Sequence, residues 1–258
     1  MSVVVSVRSV DLTYPIYSIR ANSIRNAIAN LAVGGTLLKN GQDVIHVRAL
    51  EGISFSLSEG DRLGIVGHNG AGKTTLLKVL AGVYEPDRGV VEVHGRISSM
   101  IDIGLGLDAA LTGRDNIIAM GRMRGYDTRT IKAQIPEILE FSDLGGFIDL
   151  PVKAYSAGMQ ARLVFAVATT LEPDVLLLDE WIGAGDAAFY DKAIGRMNDI
   201  LTKSRVMVLA THNVSLMSTV CNKLLVLDGG RQIYFGNIDG WDFEQRMPIS
   251  ARQHAAAQ

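Results

Sequence analysis

One cysteine, Cys221, stands in a chain of 258 residues, so neither an internal disulfide nor a cysteine-based metal cluster can form. That usage fits a reducing compartment. Neither sign of charge dominates: 25 Lys and Arg stand against 27 Asp and Glu, and no basic surface advertises nucleic acid or anionic lipid. No uncharged apolar run approaches the roughly 20 residues that cross a bilayer, so any membrane step calls for another subunit. The N-terminal stretch MSVVVSVRSVDLTYP has no charged start and no small-residue cleavage site, so a secretory signal is not expected. No internal repeat and no low-complexity linker appear. What is present is ordinary globular composition, 48% apolar and 20% charged, in a length that one α/β domain commonly occupies.

Ser2 to Tyr14 reads as a strand and Val47 to Leu63 as further strands, with a turn at Ser58, Glu59 and Gly60. Together they suit one antiparallel layer. Between them Ile24, Ala27, Ile28, Leu31 and Ala32 fall at helical spacing, an amphipathic stripe in an insert over about 18–35. A plain surface helix is the competing reading of that stripe. Strand and helix then alternate: Leu63 to Val66, Lys73 to Ala81, Val175 to Leu178, Val206 to Ala210. That rhythm predicts a mainly parallel α/β sheet. Leu111 to Leu144 is helical in pattern, with Thr112 as an N-cap and Pro136 opening a helix. A helical lobe over about 107–170, inserted into an α/β core, is therefore expected within a single domain spanning 1–258.

Gly67-His68-Asn69-Gly70-Ala71-Gly72-Lys73-Thr74-Thr75 follows an apolar strand and opens a helix, the context a phosphate-binding loop requires. Its glycines let successive backbone N–H groups turn toward phosphate oxygens, and the helix N-terminus adds partial positive charge. Lys73 is expected to reach the β- and γ-phosphates of a nucleoside triphosphate, and Thr74 to offer a hydroxyl to Mg²⁺. Downstream, Val175 to Leu178 is an apolar strand ending in Asp179 and Glu180. A buried parallel strand delivers such side chains to the edge where ligands bind. Asp179 is assigned to Mg²⁺ and Glu180 to the attacking water as general base; capping of the next helix is the bland alternative. His212 follows the strand Val206 to Ala210 and is placed at the same edge, facing the γ-phosphate.

Tyr155-Ser156-Ala157-Gly158-Met159-Gln160-Ala161-Arg162 begins a helix upstream of the acid-ending strand. It resembles the signature motif of ATP-binding cassette (ABC) proteins, with Tyr155, Ala157 and Met159 replacing the usual first, third and fifth residues. Ser156 and Gly158 are retained, and a serine-capped helix start leaves N–H groups for an anion. With Leu111-Thr112-Gly113-Arg114-Asp115-Asn116 upstream and Gly185-Asp186 downstream, the pattern is similar to the ATPase subunits of bacterial exporters of O-antigen, capsule or teichoic acid. The resemblance runs from about Val4 to Gly236. It implies an ABC-type core with an antiparallel layer and an inserted helical lobe. The glutamine that the family places where the core strand enters that lobe is missing near Ser99 to Gly106. Asp102 is the positional substitute, and an acid cannot donate the amide hydrogen bond, so its part beside Mg²⁺ differs. Tyr14 or Tyr17 supplies the adenine-stacking aromatic, with Tyr14 favoured and a core-packed tyrosine as the alternative.

The resemblance further implies that two copies bind ATP head to tail, each loop facing the other copy's Ser156 and Gly158, with Asp186 near the crossing between copies. A separate membrane-spanning permease would carry the polysaccharide, with the chain peripheral on the cytoplasmic side of the inner membrane. Ending at Gln258, the chain is not expected to add a carbohydrate-binding β-domain. An exporter ATPase for a drug or lipid is the runner-up. A soluble ABC ATPase of DNA repair or translation would show long heptad arms, tandem cassettes or a basic surface. A nucleotide switch without turnover conflicts with Glu180 and His212 together.

Overall fold

A computed structural model describes residues 2–17, 36–39, 44–99, 107–171, 173–179 and 187–243. The chain divides into two compact units, one comprising Met1–His94, Leu178–Glu180 and Val206–Gln258, the other Gly95–Leu177 and Trp181–Arg205.

The first unit opens with β1 (Val3–Tyr17), which pairs antiparallel with β3 (Val44–Ser58) from Val3↔Ser58 to Tyr17↔Val44. In β3, Ile53, Phe55 and Leu57 are buried while Ser54 and Ser56 are exposed, the period-two pattern of a half-buried strand. β1 slips register between Val7 and Val10, where Ser9 takes a φ of 48°. β5 (Arg88–Val93) pairs antiparallel with β1, and a Cβ on its Gly89 would strike the backbone of Arg8 and Ser9. A short β2 (Thr36–Lys39), which the sequence does not announce, also pairs antiparallel with β3.

The parallel part is built from β4 (Arg62–Val66), in register with β8 (Val206–Ala210) on one side and β9 (Lys223–Asp228) on the other. Every residue of β8 is buried, as a strand covered on both faces requires. β10 (Arg231–Asn237) returns antiparallel to β9. The helix α1 (Lys73–Leu80) leaves the end of β4. Against Gly64 of β4, where no side chain intervenes, sit Met217 and Cys221. Cys221 is 7% exposed, and burial pushes its thiol up to about 12 despite the nearby Arg62 charge.

In the second unit β6 (Ile97–Ser99) runs parallel to Val175–Leu177 of β7 (Val175–Asp179). Its helices are α2 (Gly113–Met123), α3 (Thr128–Ser142), α4 (Ala157–Thr170) and α5 (Ala187–Lys203). Ile117, Met120, Ile131, Ile138 and Leu163 are fully buried among them. The rings of Phe141, Phe165 and Phe189 meet pairwise at 5.6 to 5.9 Å. Pro136 does not open a helix as its sequence position suggests; it lies inside α3, which starts eight residues earlier. The true start is Asp127, whose carboxylate accepts from Arg129 N and Thr130 N and from the Thr130 hydroxyl. Three capping bonds outweigh the preference of proline for a first turn, and α3 tolerates the one N–H it lacks.

The segment Leu111 to Asn116 has a structural explanation. Thr112 caps α2 by accepting from Asp115 N at 3.1 Å and donating to Asp115 Oδ2 at 2.7 Å. A side chain at Gly113 would collide with Ile148 and the Tyr155 hydroxyl, and Arg114 clasps Asp149 at 2.7 Å. Asn116, fully buried, accepts from Asp108 N at 2.7 Å and donates to the carbonyls of Asp108, Leu111 and Thr112. Removing that amide takes the side-chain partner from the part-buried Asp108 N–H and from the carbonyls it bridges. Asn116→Ala is expected to lower unfolding free energy by about 2 kcal/mol, read from urea denaturation; a loss below about 0.5 kcal/mol would mean water replaces the clamp.

Candidate nucleotide-binding site

The loop from Gly67 to Gly72 joins β4 to α1, and its backbone is one that side chains forbid. Gly70 and Gly72 adopt φ values of 80° and 105°, the left-handed region open to glycine. A Cβ on Gly67 would lie 2.5 Å from the Leu227 carbonyl oxygen, and one on Gly72 would lie 2.8 Å from that of Ala49. Inside this curve the Lys73 ammonium, on a side chain in a residue only 8% exposed, donates to Gly67 O at 2.7 Å and His68 O at 3.1 Å. A buried cation over a turn of backbone, at the start of a helix whose first N–H groups lack intrahelical acceptors, is an anion receptor. Thr74 is exposed on the first turn and Thr75 half-buried beside it.

The strand ends gather chemistry at the same edge. Ile65 of β4 sits level with Ala210 of β8, so Gly67 and His212 each emerge two residues further on. Arg205 N donates to Asp174 O at 2.9 Å. Asp179 ends β7 and Ala210 ends β8. Asp179 is half-buried. His212 is exposed and its backbone is pinned on both sides. Thr211 N donates to Ile65 O at 3.4 Å, Thr211 Oγ1 accepts from Asn213 N, and Asn213 caps α6 (Val214–Val220) through Leu216 N. Tyr14 is half-buried in β1 opposite Val47. Burial, then the neighbouring Tyr84, raises its hydroxyl above the usual tyrosine value while Lys78 works against them, so the ring stays neutral.

In the second unit Ser156 caps α4, its hydroxyl accepting from Met159 N at 3.2 Å, and a Cβ on Gly158 would meet Ser156 Oγ at an ordinary contact distance of 3.9 Å. Tyr155 is buried, its hydroxyl donating to Phe147 O at 2.7 Å; burial, then the Asp149 charge, raises it. Asp102, Glu180 and Asp186 lie outside the described residues, as do the insert over 18–35 and the Tyr17 side chain.

Residues 50–183 match the family model described as ABC transporter. The chain belongs to the ABC transporter family. It is 43% identical to the O-antigen export system ATP-binding protein RfbE of Yersinia enterocolitica over 86% of this chain and 93% of that protein. It is 34% identical to RfbB of Klebsiella pneumoniae, also named as an O-antigen export system ATP-binding protein, over 93% of this chain and 96% of that one. The teichoic acids export ATP-binding protein TagH of Staphylococcus epidermidis is 34% identical over 93% of this chain and 86% of its own length. Among solved structures, the dimeric post-hydrolysis state of an ATP-binding cassette with ADP and Pi superposes with a TM-score of 0.66 at 18% identity, over 92% of this chain and 100% of that one. As an ABC subunit the chain binds and hydrolyses ATP.

The residues behind the ABC phosphate loop were not legible. Asp228, at the end of β9, lies 3.0 Å from His68 Nε2, and Gly230 N donates to Ala71 O at 3.1 Å. The dipeptide Gly229-Gly230 signals a hairpin turn in the sequence; that the turn abuts a loop some 160 residues earlier is tertiary information. The loop itself makes a sharp test. In Gly72→Ala the added methyl meets Ala49 O and strains a positive φ, so ATP affinity is expected to fall at least about tenfold in an equilibrium titration. Unchanged affinity would show that the loop relaxes without loss of its anion-binding curve.

Proposed function

We propose that this chain powers export of a polysaccharide of the O-antigen, capsule or teichoic acid type across the cytoplasmic membrane, through a separate membrane-spanning permease that contacts the cargo. The observation that carries this reading is likeness over nearly full length to ATP-binding proteins of O-antigen export. No helix among the described residues is long and apolar enough to cross a membrane. The permease is the part that crosses, and the chain sits against it from the cytoplasmic side. The insert over 18–35, with Arg20 and Arg25, is the segment we assign to that contact.

Two copies work head to tail. The N–H groups of Gly67 to Thr75 and the Lys73 ammonium hold the β- and γ-phosphates, and Tyr14 stacks on the adenine. Thr74 and Asp179 offer a hydroxyl and a carboxylate, hard oxygens of the kind that bind Mg²⁺ alongside substrate phosphates rather than in an all-protein cage. The ion would supply positive charge against the triphosphate. Glu180 accepts a proton from the attacking water, and His212 meets the charge of the departing γ-phosphoryl group. Ser156 and Gly158 of the second copy close the site with the start of α4, and Asp186 joins the state of one site to the other. Asp102, three residues after β6 in sequence, takes a different part from the amide it replaces.

Glu180→Gln is expected to cut ATP turnover at least about a hundredfold while ATP still binds; undiminished turnover would remove Glu180 from its role. Cargo is tested in cells. Deleting the gene should strip the surface glycan and leave lipid-linked glycan accumulating inside, with rescue by the wild-type chain and none by Glu180→Gln. Normal surface glycan in the deletion strain would sink the polysaccharide assignment and leave the ATPase intact.

A further inference from the structure

The hairpin between β9 and β10 turns through Gly229 and Gly230, with φ values of 54° and 83° and Asp228 paired to Arg231. Two successive positive φ values in a two-residue connection make the tight primed turn that matches strand twist. This turn is wedged in place. Gly230 O accepts from Glu51 N at 2.8 Å, Gly230 N donates to Ala71 O, and a Cβ on Gly230 would lie 2.6 Å from Ala49 O. Arg231 clasps Glu51 through two bonds of 3.0 and 3.1 Å, and Arg48 joins the same carboxylate at 3.4 Å. The turn is thus bolted to β3 on one side and presses on the phosphate loop with the other.

Asp228 stands at the first corner of that turn. Its Oδ1 is 3.0 Å from His68 Nε2, while His68 Nδ1 is 2.7 Å from Asn69 O. Both ring nitrogens therefore face oxygen atoms. The carbonyl of the same His68 accepts from Lys73 Nζ and from Ala71 N. A carboxylate outside the loop holds the ring of the residue whose backbone holds the lysine. Arg231 is committed to Glu51, and Asp228 meets the His68 ring.

We infer that Asp228 is a positioning residue for ATP: through the His68 ring it fixes the first turn of the phosphate loop and so sets affinity for the nucleotide. The inference depends on ATP hydrolysis alone and not on the cargo. Its sign is diagnostic. Were Asp228 merely a negative charge near a triphosphate, neutralising it would tighten ATP binding, since Lys73 would remain to attract phosphate. A positioning role predicts the reverse.

The test is Asp228→Asn, nearly isosteric and well suited to a turn, in the full-length protein with Mg²⁺ and ATP. KM is expected to rise about fivefold, the scale of a partly exposed ion pair, with kcat within about twofold of wild type. Equilibrium titration with a fluorescent ATP analogue should show the same loss, and thermal melting without nucleotide should stay close to wild type. In a His68→Asn background, Asp228→Asn should change KM by less than about twofold, because the connection is already cut. An unchanged or lowered KM overturns the inference. So does an equal rise in both backgrounds, which would place the effect in the turn backbone rather than in the His68 contact.

Discussion

Everything at the site hangs on keeping an ammonium ion buried beside the backbone carbonyls of the loop. Lys73 is nearly enclosed, and its bonds within the loop run to Gly67 O and His68 O. A buried cation so held is costly unless the surrounding dipoles are fixed. The loop cannot fix them alone, because glycines supply reach and no rigidity. Rigidity comes from outside: β4 is locked between two parallel neighbours, α1 is anchored by Leu76 and Leu77, and the carbonyls of Leu227 and Ala49 leave no room for the loop to sag. The apolar sheet is in this sense the scaffold of a charge.

The same division recurs at each functional position. His212 is exposed, yet its neighbours Thr211 and Asn213 are both spent on backbone bonds that aim it. Ser156 is committed to Met159 N, which defines where α4 begins. At both of these proposed contact positions, side-chain polar groups are engaged in holding the local backbone. Sites of this kind keep reacting groups in place before substrate arrives, so little reorganisation remains for the chemical step.

Strand runs such as Val206 to Ala210 were legible because uninterrupted burial demands uninterrupted apolar residues. The loop was legible because only glycine tolerates its φ values, and the start of α4 because serine is a strong cap. Pro136 misled: proline advertises a first turn, but the carboxylate of Asp127 had already started the helix. Asn116 and Asp228 were invisible as structural elements, for a related reason. Each acts on backbone or side chains brought near by folding, and local pattern carries no record of which carbonyl will lie within 3 Å. Period and capping are encoded locally; buttressing is not.

The lone cysteine, set aside at the outset for what it cannot build, has a practical side. Cys221 lies against the glycine of β4, and its thiol remains protonated far above neutral pH. Since the thiolate is the reactive form, reagents such as maleimides meet almost none of it in the folded protein. Slow labelling of the native chain by thiol probes is the expected result. A cysteine placed on the loop edge or on the first turn of α4 would then be a unique address for a fluorophore or spin label, and distance changes during the ATP cycle could be followed without first engineering Cys221 away.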